Sequence, residues 1–108
     1  MTFVDRAKTV VSCILFLFFF TLTACSSPPP GNVENGQKWF KMNNCNSCHG
    51  EKGTGGRGPA IAGIDMGFGS FVRKLRKKDA PIMPPFPESK VSEQDAADIY
   101  AFLKSTAK

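Results

Sequence analysis

The chain is poor in the residues that most often carry chemistry. Its 108 positions hold one histidine, one tryptophan, one tyrosine and four cysteines. A single histidine, His49, excludes any metal centre built on two imidazoles of this chain. No segment alternates apolar and polar residues at a period of two, so nothing signals a β-sheet. No apolar run reaches the roughly 20 residues that a membrane-spanning helix needs. Acidic residues are scarce beside basic ones, nine against fourteen.

What is present starts with Asp5, Arg6 and Lys8, followed by VVSCILFLFFFTLTAC. A charged segment, a short apolar run and small residues before a cysteine read as an export signal. The competing reading, an uncleaved anchor helix, fits a longer run better. The residues LTAC at 22–25 resemble the lipobox of bacterial lipoproteins. That resemblance implies cleavage before Cys25, a lipid on its sulfur and acylation of the new amino group. Residues 1–24 are then a lipoprotein signal peptide, 25–32 a lipid-anchored Ser/Pro linker, and 33–108 the functional domain. The expected location is the periplasmic side of a bacterial membrane, or the outer face of the cytoplasmic membrane.

Processing leaves 84 residues with twelve basic and eight acidic side chains, a net charge of +4. A domain of that size gains little from a bare apolar core and calls for a metal, disulfides or a large cofactor. Cys13 departs with the signal and Cys25 takes the lipid, so Cys45 and Cys48 remain. A disulfide between them closes a loop too small to brace anything. The linker composition, serines, prolines and a glycine, predicts an extended spacer on the order of 20 Å long that does not fold.

The rest reads as all-α with long loops. NVENGQKWFKMNN has Asn32 as an N-cap and Val33, Gly36 and Phe40 on one face. GEKGTGGRGPAIAG is an irregular loop. GSFVRKLRKKD places Phe68, Phe71, Val72 and Leu75 at helical spacing. In VSEQDAADIYAFLKSTAK, Ser92 with Asp95 forms a capping box, and Ala96, Ile99, Tyr100 and Leu103 an apolar stripe. Loops this long in a compact domain suggest that something fills the space inside them.

Cys45, Cys48 and His49 stand at i, i+3 and i+4, which puts three side chains on one face of a helical turn. C-x-x-C-H at this spacing is the attachment signature of c-type haem: two thioethers at the ring edge and His49 on the iron. Zinc, the first competitor, wants four ligands, and the processed chain offers no fourth Cys or His. A carboxylate would have to complete the set, and Glu51 lies too near in sequence to wrap the ion easily. A thioredoxin-like dithiol, the second, lacks its βαβ setting.

Cys45-Asn46-Ser47-Cys48-His49-Gly50, Gly58-Pro59-Ala60-Ile61-Ala62-Gly63 and Met83-Pro84-Pro85-Phe86 resemble the successive motifs of small bacterial class I cytochromes c. The resemblance implies a fold of three to four helices wrapped around one covalent haem. It implies that the Pro59 carbonyl accepts from His49 Nδ1, and that Gly36, Phe40, Ile99 and Phe102 meet where the first and last helices cross. Trp39 shares that packing role. The family often carries tyrosine where this chain has Phe102, and a phenol hydrogen bond goes with it.

The second axial position decides what the iron does. Met42, Met66, Met83, a lysine or an open site are the candidates. Met42 is three residues from Cys45, too near to reach the opposite ring face, and Met66 sits among glycines with no motif around it. Met83 lies 34 residues beyond His49 in PIMPPFP, whose Pro81, Pro84, Pro85 and Pro87 stiffen the backbone. With His49 and Met83 as iron ligands no substrate position remains, so the expected activity is one-electron transfer and not enzymatic turnover. Ile61, Ile64, Phe68, Phe71, Ile82 and Phe86 are the expected ring-lining residues. Arg73, Lys74, Arg76, Lys77 and Lys78 place five charges in six residues. They are read as a solvated face, as partners of haem propionates, or as a positive rim for an acidic redox partner or anionic lipid. No nucleic-acid role is expected. Two alternatives stand beside a free carrier: a haem subunit of a larger dehydrogenase or oxidase complex, and a haem enzyme or gas binder with a labile sixth ligand.

Overall fold

The computed structural model describes residues 6, 8, 10–11, 28–78 and 82–107. Cys25, Pro81 and the export segment other than those four positions lie outside the described residues. Among the described residues the domain is formed by α1 (Val33–Met42), α2 (Cys45–His49), α3 (Phe68–Arg76) and α4 (Glu93–Ser105), with no strand. The fold is all-α, as the periodicity predicts. No helix of the described residues is long and apolar enough to cross a membrane.

Local chemistry starts the helices where expected. The Asn32 side chain accepts from the Asn35 N–H at 2.9 Å, and Glu34 adds a negative charge in the first turn of α1. At α4 both halves of the capping box form. Asp95 N–H donates to Ser92 Oγ at 3.1 Å, and Ser92 N–H donates to Asp95 Oδ2 at 3.0 Å. Caps of this kind contribute about 1 kcal/mol each.

The helices then cross through a glycine. A Cβ on Gly36 would run into the Asp98 carbonyl and sit 2.8 Å from Phe102 Cβ, so only hydrogen fits between α1 and α4. One turn further, Phe40 meets Phe102 with ring centroids 5.4 Å apart. Phe40, Leu103 and Val91 are the most deeply buried large side chains. Val33, expected on the same face as Gly36 and Phe40, is 43% exposed because it precedes the crossing by almost a turn.

On α3, Phe71 and Leu75 are buried, while Phe68 and Val72 are half-buried against the core. Tyr100 of α4 packs on Phe68 and Phe71 at 5.6 and 5.5 Å and donates its hydroxyl to the Met66 carbonyl at 2.9 Å. A phenol bond is therefore present two residues before Phe102, the position at which its loss was expected.

The linker joins the domain earlier than its composition suggests. Asn32 N–H donates to the buried carboxylate of Asp98 at 2.8 Å. Gln94 Nε2 bridges Asp98 Oδ1 at 3.1 Å and the Pro30 carbonyl at 2.8 Å. Backbone groups make these contacts, so no apolar pattern marks them in sequence.

Candidate functional site

The turn into α2 is built by amides. Asn43 Nδ2 donates to the Trp39 carbonyl at 2.9 Å, and Asn44 N–H to the Lys41 carbonyl at 3.0 Å. Asn44 adopts φ 58°, a left-handed conformation that asparagine tolerates better than most residues. This redirects the chain so that Cys45, Cys48 and His49 follow on a single helical turn. Ser47 Oγ then donates back to the Asn44 carbonyl at 2.6 Å.

Both thiols are free and half-buried. Burial pushes the Cys45 thiol up to about 11, its own backbone partly offsets this, and the neighbouring Cys48 adds to the rise. Among the described residues no three His, Cys, Asp or Glu side chains gather as a metal-ion site. Nothing among the described residues completes a zinc set around Cys45, Cys48 and His49.

The glycine-rich segment 50–63 is ordered by this turn. Gly50 ends α2 at φ 83°, which a side chain would resist. Gly55 N–H then donates to the His49 carbonyl at 2.8 Å and Gly58 N–H to the Cys48 carbonyl at 2.7 Å. Two carbonyls that the end of a short helix leaves without partners are satisfied this way. A Cβ on Gly58 would sit 3.1 Å from both Cε1 and Nδ1 of His49, so the loop lies directly against the imidazole.

Next in the chain, the Pro59 carbonyl stands 2.8 Å from His49 Nδ1. A carbonyl only accepts, so Nδ1 is the donor of this bond and, in the neutral ring, Nε2 is the nitrogen with the lone pair. Such a bond fixes ring orientation and tautomer and raises ligand basicity. The loop closes on itself through Ile61 and Ala62 N–H to the Gly53 carbonyl, and on α4 through Gly63 N–H to the Leu103 carbonyl at 2.7 Å.

Met83 is half-buried and packs against the core, whereas Met42 is 70% exposed and Met66 37%. Of the expected lining residues, Ile64, Phe71 and Phe86 are in the buried core, and Ile61 and Phe68 pack on it. Ile82, the remaining one, is 86% exposed beside Met83.

The basic run is divided. Arg76 turns inward, its Nη1 donating to the Phe86 carbonyl at 2.9 Å and the Val91 carbonyl at 2.7 Å. Arg73 is exposed and donates to Ser70 Oγ at 3.0 Å; Lys77 and Lys78 are exposed. Beside α2, Asn46 Nδ2 donates to Glu51 at 2.9 Å and Lys41 lies 3.4 Å from it. The Asn46 bond, then Lys41, hold the Glu51 carboxyl below its ordinary range. Sequence reasoning missed Arg76 because a charge run reads as one solvated face, and missed Gly58's contact because a glycine cluster reads only as loop.

Two thiols and an imidazole on one helical face, an Nδ1 already committed and a loop laid against the imidazole fit a covalently attached haem. Fold and site together define a small c-type cytochrome. The chain belongs to the family described as Cytochrome C oxidase, cbb3-type, subunit III, whose model matches residues 31–103. Membership implies covalently bound haem c with its iron and haem-based electron transfer. Comparison with curated proteins gives no match, and comparison with solved structures gives none.

Proposed function

We propose that this chain is an exported, lipid-anchored carrier of single electrons with one haem c. Cys45 and Cys48 would hold the ring as thioethers, and His49 and Met83 would bind its iron. Bound haem supplies a reversible ferric–ferrous couple, which His/Met ligation raises in potential. Pro59 fixes the proton on His49 Nδ1, and Gly58 lets the loop reach the imidazole. Residues 1–24 are removed, Cys25 carries the lipid, and residues 25–32 connect it to the domain on the periplasmic side of the membrane. The protein is not an enzyme, because both axial positions belong to side chains of the chain itself. Arg73, Lys77 and Lys78 face an acidic site on a redox partner protein; nucleic acid has no part.

The single observation that carries this reading is the 2.8 Å contact between His49 Nδ1 and the Pro59 carbonyl. It supports an imidazole held as a ligand through Nε2. The test is optical. Oxidised wild-type protein is expected to show the far-red methionine–iron charge-transfer band, to titrate as one reversible one-electron couple, and to bind cyanide and CO slowly. A missing band with rapid cyanide or CO binding would instead identify a haem enzyme or gas binder with a labile sixth site.

The family's description favours a second reading, in which the same haem passes electrons inside an oxidase complex. Co-purification from detergent-solubilised membranes separates the two. A stable complex supports the subunit, and a lone chain whose electron-transfer rate falls steeply with salt supports the carrier.

A further inference from the structure

We infer that Arg76 is a positioning residue for Met83: its guanidinium holds the loop that presents the methionine. The inference rests on Met83 being the second axial ligand. Arg76 ends α3, and its Nη1 lies 2.9 Å from the Phe86 carbonyl and 2.7 Å from the Val91 carbonyl. The preceding residue completes the grip, since Phe86 N–H donates to the Leu75 carbonyl at 2.6 Å. Both backbone groups of Phe86 are thus held by consecutive residues of one helix end. Between Phe86 and Val91 the chain turns through Lys90 and Val91 N–H, which donate to the Pro87 carbonyl at 2.9 and 3.0 Å. The guanidinium spans this turn and fastens both of its ends to α3.

Met83 takes its place from that anchor. Only Pro84 and Pro85 separate it from Phe86, and their rings fix φ and supply no N–H. The spacer neither bends freely nor donates ladder bonds of its own, so displacement at Phe86 passes to Met83. Bonds from a guanidinium are charge-assisted, and Arg76 is half-buried, which strengthens them against water. The neighbouring Lys77 is exposed and belongs to the outer face of the helix.

The test uses the full, haem-loaded chain and reads the ligand bond itself. In Arg76→Ala, the pH at which the ferric far-red band disappears should fall by about one unit, and cyanide should bind about tenfold faster, the loss of a charge-assisted bond. Lys38→Ala, which removes an exposed cation of α1, should leave both readings at wild-type values. A merely structural Arg76 would lower the melting temperature while leaving the band's pH midpoint and the cyanide rate unchanged at 25 °C; that result overturns the inference. Should Arg76→Ala not fold, Arg76→Gln is read the same way, and wild-type values in it overturn the inference equally. If wild-type protein lacks the band, or Met83→Ala keeps it, the Met83 assignment fails and takes this inference with it. If the band is present, is lost in Met83→Ala and is unmoved in the Arg76 variants, the Arg76 role alone is wrong.

Discussion

His49 and Met83 sit in neighbourhoods held by different means. Around His49 the contacts are short in sequence and made by backbone. Gly55 and Gly58 cap the carbonyls of His49 and Cys48, and the Pro59 carbonyl accepts from His49 Nδ1–H, all within ten residues. Around Met83 the nearby sequence is prolines, and the grip comes from Leu75 and Arg76 on a different element. The first neighbourhood is a locally closed unit, while the second depends on α3 staying where it is. Strain, heat or alkali should therefore loosen the methionine side before the histidine side.

Phe86→Ala should have the largest effect that sharpens this contrast. Phe86 is 6% exposed, and truncating a buried phenylalanine costs about 3–5 kcal/mol. Denaturant unfolding should show that loss, and the far-red band should vanish well below the unfolding midpoint. Phe40→Ala, at the helix crossing, should cost a similar amount yet keep the band until global unfolding. Equal behaviour of the two variants would erase the distinction between the sides.

Gly58→Val comes next, at about 1–3 kcal/mol from overpacking, because even a Cβ meets the His49 ring at 3.1 Å. The change should appear in the hyperfine-shifted resonances of the axial imidazole, with the methionine signals less disturbed. Movement confined to the methionine signals would contradict the account.

The smallest effect concerns Glu51, whose carboxyl is held low by Asn46 and then Lys41. Its folded value lies below its unfolded one, so the pairing stabilises above the unfolded value and is lost as pH falls through the folded one. An NMR titration should place Glu51 below an ordinary glutamate, and Asn46→Ala should bring it up. No upward movement in that variant would remove the Asn46 contact as the cause.

The same contrast explains what was legible in the chain. Helix caps at Asn32 and Ser92 and the Cys45, Cys48, His49 face arise within a turn or two, and their residue types announce them, whereas the Gly36 crossing with Asp98 and Phe102 was legible only through the family resemblance. Arg76 was read as one charge among five because its acceptors are carbonyls 10 and 15 residues away, which any sequence supplies. The docking of Pro30 and Asn32 on Asp98 and Gln94 spans more than 60 positions and likewise leaves no mark in composition. Val33 was misread for the opposite reason. Apolarity says a residue is able to be buried, and position along the helix or loop decides whether it is.

Intact mass with an absorption spectrum, taken on protein made alongside cytochrome maturation machinery, tests the central claim most directly. The expected result is a red protein whose polypeptide carries the mass of a single haem through denaturation, with the adduct lost when both Cys45 and Cys48 are replaced by serine. A colourless protein at bare polypeptide mass would contradict it.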